Sequence, residues 1–155
     1  MKVAEADRSF LAAEARALAE RMADPEISAA YEEIASMAEQ GEIPDDLAAA
    51  VESVVSLALE TGRARALHGP AGVRALVSVW KETPGGRGVA DELEQLNHAL
   101  TALRGLPVQA VRVAAVAPGA YSVGISAGEY EVRLSVDRSS VRLKSLNVGG
   151  VGVGE

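Results

Sequence analysis

The spacing of apolar residues changes once along this chain, and that change limits what it can fold into. Up to about residue 103 apolar residues recur every three or four positions, the spacing of one helix face; from Val108 they recur every second position, the spacing of one strand face. A chain with that single switch folds as an α+β protein whose helices and strands are segregated along the sequence. The expected architecture is an N-terminal helical bundle of about four helices, followed by a helix packed on a four-stranded antiparallel β-meander.

The helical part carries its own start and stop signals. A first helix is expected from about Ala4 to Ala23, with Leu11, Ala15, Leu18 and Met22 on the apolar face and Glu5, Glu14 and Glu20 turned elsewhere. Asp24-Pro25-Glu26 opens a second helix by capping, fixed φ and dipole complementarity, and Gly41 ends it; its buried face is read as Ile27, Tyr31, Ile34 and Met37 or Ala38. Ile43-Pro44-Asp45-Asp46 opens a third, with Leu47, Val51, Val54 and Ala58 as a bundle seam. This helix frays between Gly62 and His68, and Gly69-Pro70 restarts a short fourth helix carrying Val73, Leu76, Val77 and Trp80.

Thr83-Pro84-Gly85-Gly86-Arg87-Gly88 reads as the strongest break in the chain and as a hinge. A fifth helix, Val89 to Leu103, then aligns Val89, Leu93, Leu96, Leu100 and Leu103 in a stripe wide enough to cover a sheet. The expected organisation is an acidic helical region over residues 1–82, the hinge over 83–88, helix plus meander over 89–146, and a glycine-rich tail over 147–155. That tail is too rich in glycine to hold a strand alone and is expected to be mobile unless a partner orders it.

Turn signals at Pro118-Gly119, Ala127-Gly128 and Asp137 to Ser140 divide the last third into four strands with one apolar face. A two-residue loop at Ala127-Gly128 sets Val123 opposite Val132 and Tyr121 opposite Leu134, and a four-residue loop at Asp137 to Ser140 sets Leu134 opposite Leu143. On the other face, Arg112 is expected beside Gly124, Gly124 beside Glu131, Ser122 beside Arg133, Arg133 beside Lys144, and Ser135 beside Arg142. Arg112, Ser122, Arg133, Arg142 and Lys144 thus form a candidate ligand or partner patch, basic around small residues. The competing reading is a solvated sheet face with cross-strand ion pairs.

Charge and composition exclude several functions. Residues 1–62 hold four bases against fourteen acids, and the remainder eleven against eight. That imbalance argues against duplex nucleic acid as the main partner of the helical half, because phosphate contacts need clustered Lys and Arg. It leaves only the C-terminal half open to a weak anion role, so nucleic acid is a disfavoured partner; the simplest use of the asymmetry is attraction between the two halves. The absence of cysteine removes disulfides, thiolate nucleophiles and sulfur metal sites. No apolar run reaches membrane-spanning length, and a cytoplasmic protein is expected.

No catalytic signature is present. Gly85-Gly86-Arg87-Gly88 could offer amides to a phosphate at a helix start, but it matches no nucleotide-binding fingerprint and reads as a linker. His68 and His98 lack convincing catalytic partners; His98 lies one turn from Glu94 on the same helix, and His68 precedes a helix restart. No metal site assembles from these residues, and no cofactor is expected. Three functions remain. The first is a non-enzymatic protein-interaction or assembly module, self-associating through its helices or the meander edge. The second is a small-ligand-binding domain or small enzyme, with a pocket near Trp80, Arg87, His98 and Tyr121 between helices and sheet. The third is a weak single-stranded nucleic-acid binder using the basic sheet face, which lacks the stacking aromatics such binders use.

Overall fold

The computed structural model describes residues 1–138, 140–149 and 151–153, the last three by their backbone alone. The chain divides into two compact units, Met1–Arg87 and Gly88–Glu155. The first holds four helices: α1 (Glu5–Ala19), α2 (Pro25–Gln40), α3 (Ala48–Glu60, preceded by a 3-10 turn at Asp45–Leu47) and α4 (Arg63–Lys81). α5 (Pro84–Thr101) begins in the first unit and continues into the second. The second unit adds β1 (Val108–Ala117), β2 (Ala120–Ala127), β3 (Tyr130–Val136), β4 (Val141–Val148) and β5 (Val151–Val153). The expected α+β class and the helix-then-meander order are both observed.

The first core is built from small side chains. Leu11, Ala15 and Leu18 of α1, Ile34, Ala35 and Ala38 of α2, Val51, Val54, Val55 and Ala58 of α3, and Ala64, Leu76 and Val79 of α4 are all buried in one cluster. Alanine at the contacts lets the helices approach closely, which is how a core with few aromatics reaches full density. The helix ends follow their chemistry. The Asp24 carboxylate accepts from the Glu26 amide at 2.8 Å with Pro25 in the first turn, and Gly41 ends α2 at φ 86°. Arg16 of α1 reaches Glu39 of α2 at 2.7 Å, and this hydrogen bond holds the exposed Glu39 carboxyl below its ordinary range.

Three helical expectations are corrected. Ile27 is not core but 45% exposed, because the buried side of α2 runs through Ile34, Ala35 and Ala38. α4 begins at Arg63, ahead of the expected restart, and carries Gly69 as an internal kink at φ 64°, ψ −162°, a backbone only glycine adopts easily. Most consequentially, 84–88 is not an irregular hinge. It is the first turn of α5, although the boundary between the units does fall between Arg87 and Gly88.

The glycines of that turn have specific causes. Thr83 is fully buried and caps α5: its hydroxyl donates to the Trp80 carbonyl at 2.6 Å and accepts from the Gly86 amide at 3.3 Å. The Glu52 carboxylate of α3 accepts from the Gly85 amide at 2.7 Å. The helix start that could have held a phosphate therefore already holds this protein's own carboxylate, placed where the helix dipole favours it. A Cβ on Gly86 would run into the Trp80 carbonyl oxygen and one on Gly85 into Glu52, whereas one on Gly88 meets nothing within 4 Å.

In the second unit the strand order is β1-β2-β3-β4-β5, antiparallel throughout. Leu134 stands opposite Leu143 as expected, but Val123 pairs with Leu134 and Tyr121 with Val136. The hairpin loop is Gly128-Glu129, closed by Ala127 opposite Tyr130, with Gly128 at φ 58° supplying the left-handed first turn residue. The resulting slip is two residues, so each strand keeps its apolar set on the intended face. The tail also departs from expectation: Val151–Val153 pairs with Leu146–Val148 as a short fifth strand, while Gly150, Gly154 and Glu155 lie outside the described residues.

α5 lies on the apolar face. Leu96, with Leu100 and Leu103 beside it, packs on Val132 and Leu134, joined by Val123, Val141, Leu143 and Leu146. Only the C-terminal half of the expected stripe does this, since Leu93 is 40% exposed.

The cap geometry makes opposite predictions for two neighbouring glycines. Gly86→Ala should cost about 1–3 kcal/mol through backbone displacement, and Gly88→Ala should gain about 0.5–1 kcal/mol by reducing unfolded-chain freedom in a helix. Denaturant midpoints of the two variants check this; equal effects would mean that 84–88 is not helical.

Candidate functional site

The basic face expected on the sheet is only partly assembled. Arg112 stands opposite Gly124 as expected, but Gly124 is followed by Arg133, and Arg133 stands opposite Ser145, not Lys144. Ser122 lies between Ala114 and Ser135, away from Arg133. The two-residue slip at the Gly128 hairpin accounts for the first changes, and an irregularity of β4 beside Arg133 and Leu134 takes Lys144 out of register. Two of the cations are also engaged: Arg133 with Glu131 at 3.0 Å, and Arg142, opposite Ser135, with Glu92 of α5 at 3.0 Å. Around the open space at Gly124 stand Arg112 and the Glu131-paired Arg133, with no aromatic ring in the row.

The residues of the expected pocket belong to different units. Trp80 is half-buried against the first core, and Arg87 is exposed and paired with Glu82 at 3.2 Å. In the second unit His98 lines an open groove on α5 with Asp91, Glu94 and Gln95, and Tyr121 sits on β2 between Ala115 and Val136, 45% exposed. Among the described residues no three of His, Asp and Glu assemble a site that could hold a metal ion. The division of charge also changes. Cut at Arg87, the first unit holds nine bases against fifteen acids and the second six against seven, so the asymmetry seen about Gly62 shrinks and the second unit carries no net positive charge to attract the first.

One cluster was missed by sequence reasoning. Glu14, expected to turn away from the core, is fully buried on α1, and its carboxylate takes Arg63 on one oxygen and His68 Nε2 on the other, the latter at 2.9 Å. Phe10 meets the His68 ring edge-on with centroids 5.6 Å apart. A carboxylate holding a histidine resembles half of a catalytic relay, but here the histidine contacts Phe10 and Gly72, and the acid is shared with an arginine. The arrangement fits a buried clamp between α1 and α4. The sequence signal for it is that Glu14 falls three residues after Leu11 and four before Leu18, on the same helical stripe as the buried leucines.

The remaining candidate is β1. It forms one edge of the sheet, so its outer backbone groups have no strand partner among the described residues. Natural edges are usually short, charged, interrupted by proline or covered. β1 instead runs ten residues with Arg112 as its one charge, and the lid formed by α5 does not reach it. Val108, Val111, Val113 and Val116 are 59 to 71% exposed, and Tyr121 of β2 extends the strip on the apolar face. The opposite edge, β5, spans three residues.

No family model matches this chain, and neither do curated proteins or solved structures. No helix among the described residues is long and apolar enough to cross a membrane.

The clamp reading is tested by truncation. Glu14→Ala leaves Arg63 and His68 without their carboxylate and should cost about 3 kcal/mol in urea unfolding. Replacing Glu14, Arg63 and His68 together by apolar residues should recover most of that loss. A Glu14→Ala cost under about 0.5 kcal/mol, the size of an ordinary surface change, would contradict the clamp.

Proposed function

We propose that this protein is a non-enzymatic protein-interaction and assembly module that self-associates, with the outer edge of β1 as its contact. The observation that carries the reading is an exposed, ten-residue edge strand with valines at 108, 111, 113 and 116 and a single charge. Such an edge adds another strand through its backbone and shields its side chains in the same step. Large exposed apolar strips on an otherwise well-packed fold mark contacts of this kind. Pairing of Arg133 with Glu131 and of Arg142 with Glu92 weakens the competing case for an anionic or nucleic-acid ligand on the opposite face. A chain without cysteine suits a reducing compartment, and a cytoplasmic site of action is part of the proposal.

Size-exclusion chromatography with light scattering at micromolar concentration tests it. The chain should elute above its monomer mass of 16.0 kDa. Val113→Lys, a change at an exposed position, should return it to monomer with its thermal midpoint unchanged. A wild-type chain that stays monomeric up to hundreds of micromolar would remove the proposal.

A further inference from the structure

We infer that two copies of this chain join β1 to β1, antiparallel about a two-fold axis normal to the sheet, with Val113 opposite Val113 of the second copy. The inference rests on the assembly reading above and specifies its geometry.

An axis normal to the sheet keeps the apolar face of both copies on the same side, so the lids formed by both α5 helices lie on that side as well. Directly opposed residues of antiparallel strands point to one face. A residue of the apolar set of β1 must therefore face another of that set, which restricts the two-fold to a point at a residue and not between two.

The regular part of β1 narrows the choice further. Its pairing with β2 is uninterrupted from Ala110 to Ala115 and irregular on either side. The residues nearest the centre of that stretch are Arg112 and Val113. Centring on Arg112 places two guanidinium groups directly opposite each other, an arrangement that destabilises strand pairs. Centring on Val113 places Arg112 opposite Ala114 and Val111 opposite Ala115. The one charge on the strand then meets a small neutral residue, and the valines of the two copies form one strip.

The amount of surface fits this occupant. Val108, Val111, Val113, Val116 and Tyr121, exposed by 45 to 71%, present on the order of 500 Å² of mostly apolar surface, near the upper end for the largest patch of a monomer. A specific dimer buries about 800 Å² per partner, of which roughly 60% is apolar. An edge with one charge offers little to a strongly charged partner, whereas a second copy of itself matches it in length and apolar shape.

The natural chain has no cysteine, so single cysteines report the register without background. Val113→Cys, Val111→Cys and Ala115→Cys are each treated with a short thiol-specific cross-linker, alone and in mixtures, with light scattering of the untreated proteins in parallel. The expected result is a dimer of twice 16.0 kDa in which Val113→Cys cross-links to itself, while Val111→Cys cross-links only when mixed with Ala115→Cys. A dimer in which Val111→Cys cross-links to itself, or in which none of the three cross-links, overturns the register and leaves the assembly reading standing. Monomers throughout overturn both.

Discussion

The second unit depends on one contact, the packing of Leu96 and Leu100 of α5, with Leu103 just past its end, on Val132 and Leu134 of the sheet. An antiparallel sheet with one apolar face is stable only if something covers that face, and here a single helix does so. One helix is narrower than a sheet of five strands. Its coverage centres on β3, reaching Val123 on β2 and Val141, Leu143 and Leu146 on β4. At the far side of β2 lies β1, whose exposure follows from the width of the lid rather than from any peculiarity of its own sequence.

The first unit meets a different constraint. With few aromatics its helices pack through alanine and valine, and such close approach leaves little tolerance for a misplaced polar group. Two carboxylates are accommodated by giving each a specific partner: Glu14 takes Arg63 and His68, and Glu52 takes the Gly85 amide at the start of α5. Both tie elements far apart in sequence. They also account for features that could be mistaken for active-site parts, a buried acid beside a histidine and a glycine-rich helix start.

Much of this was legible in the residues, and the misses share a cause. The period change near 107, the caps at Asp24 and Gly41, the Val51-Val54-Ala58 seam and the stripe of Leu96, Leu100 and Leu103 are local patterns, each written within a few turns of chain. Face assignment in the sheet survived a wrong loop because a slip of two residues preserves parity, but the identity of neighbours on the basic face did not survive it. Glu14 was misread because its partners lie 49 and 54 residues away. The Thr83–Gly88 stretch was misread because glycine was counted as a helix breaker. In fact the capping hydroxyl, the proline at the first helical position and the carboxylate of Glu52 outweigh that tendency. The exposure of β1 was the least legible feature, since nothing in alternating valines says how far a helix will reach across them.

The most direct measurement is amide hydrogen exchange followed by mass spectrometry, strand by strand, as protein concentration is raised from sub-micromolar to several hundred micromolar. An edge strand that finds its partner in another copy should exchange quickly when dilute and slow progressively with concentration over 108–117, while 130–136, under the helix, stays protected throughout. Protection of 108–117 equal to that of 130–136 at every concentration would contradict the account, as would exchange there that stays fast at the highest.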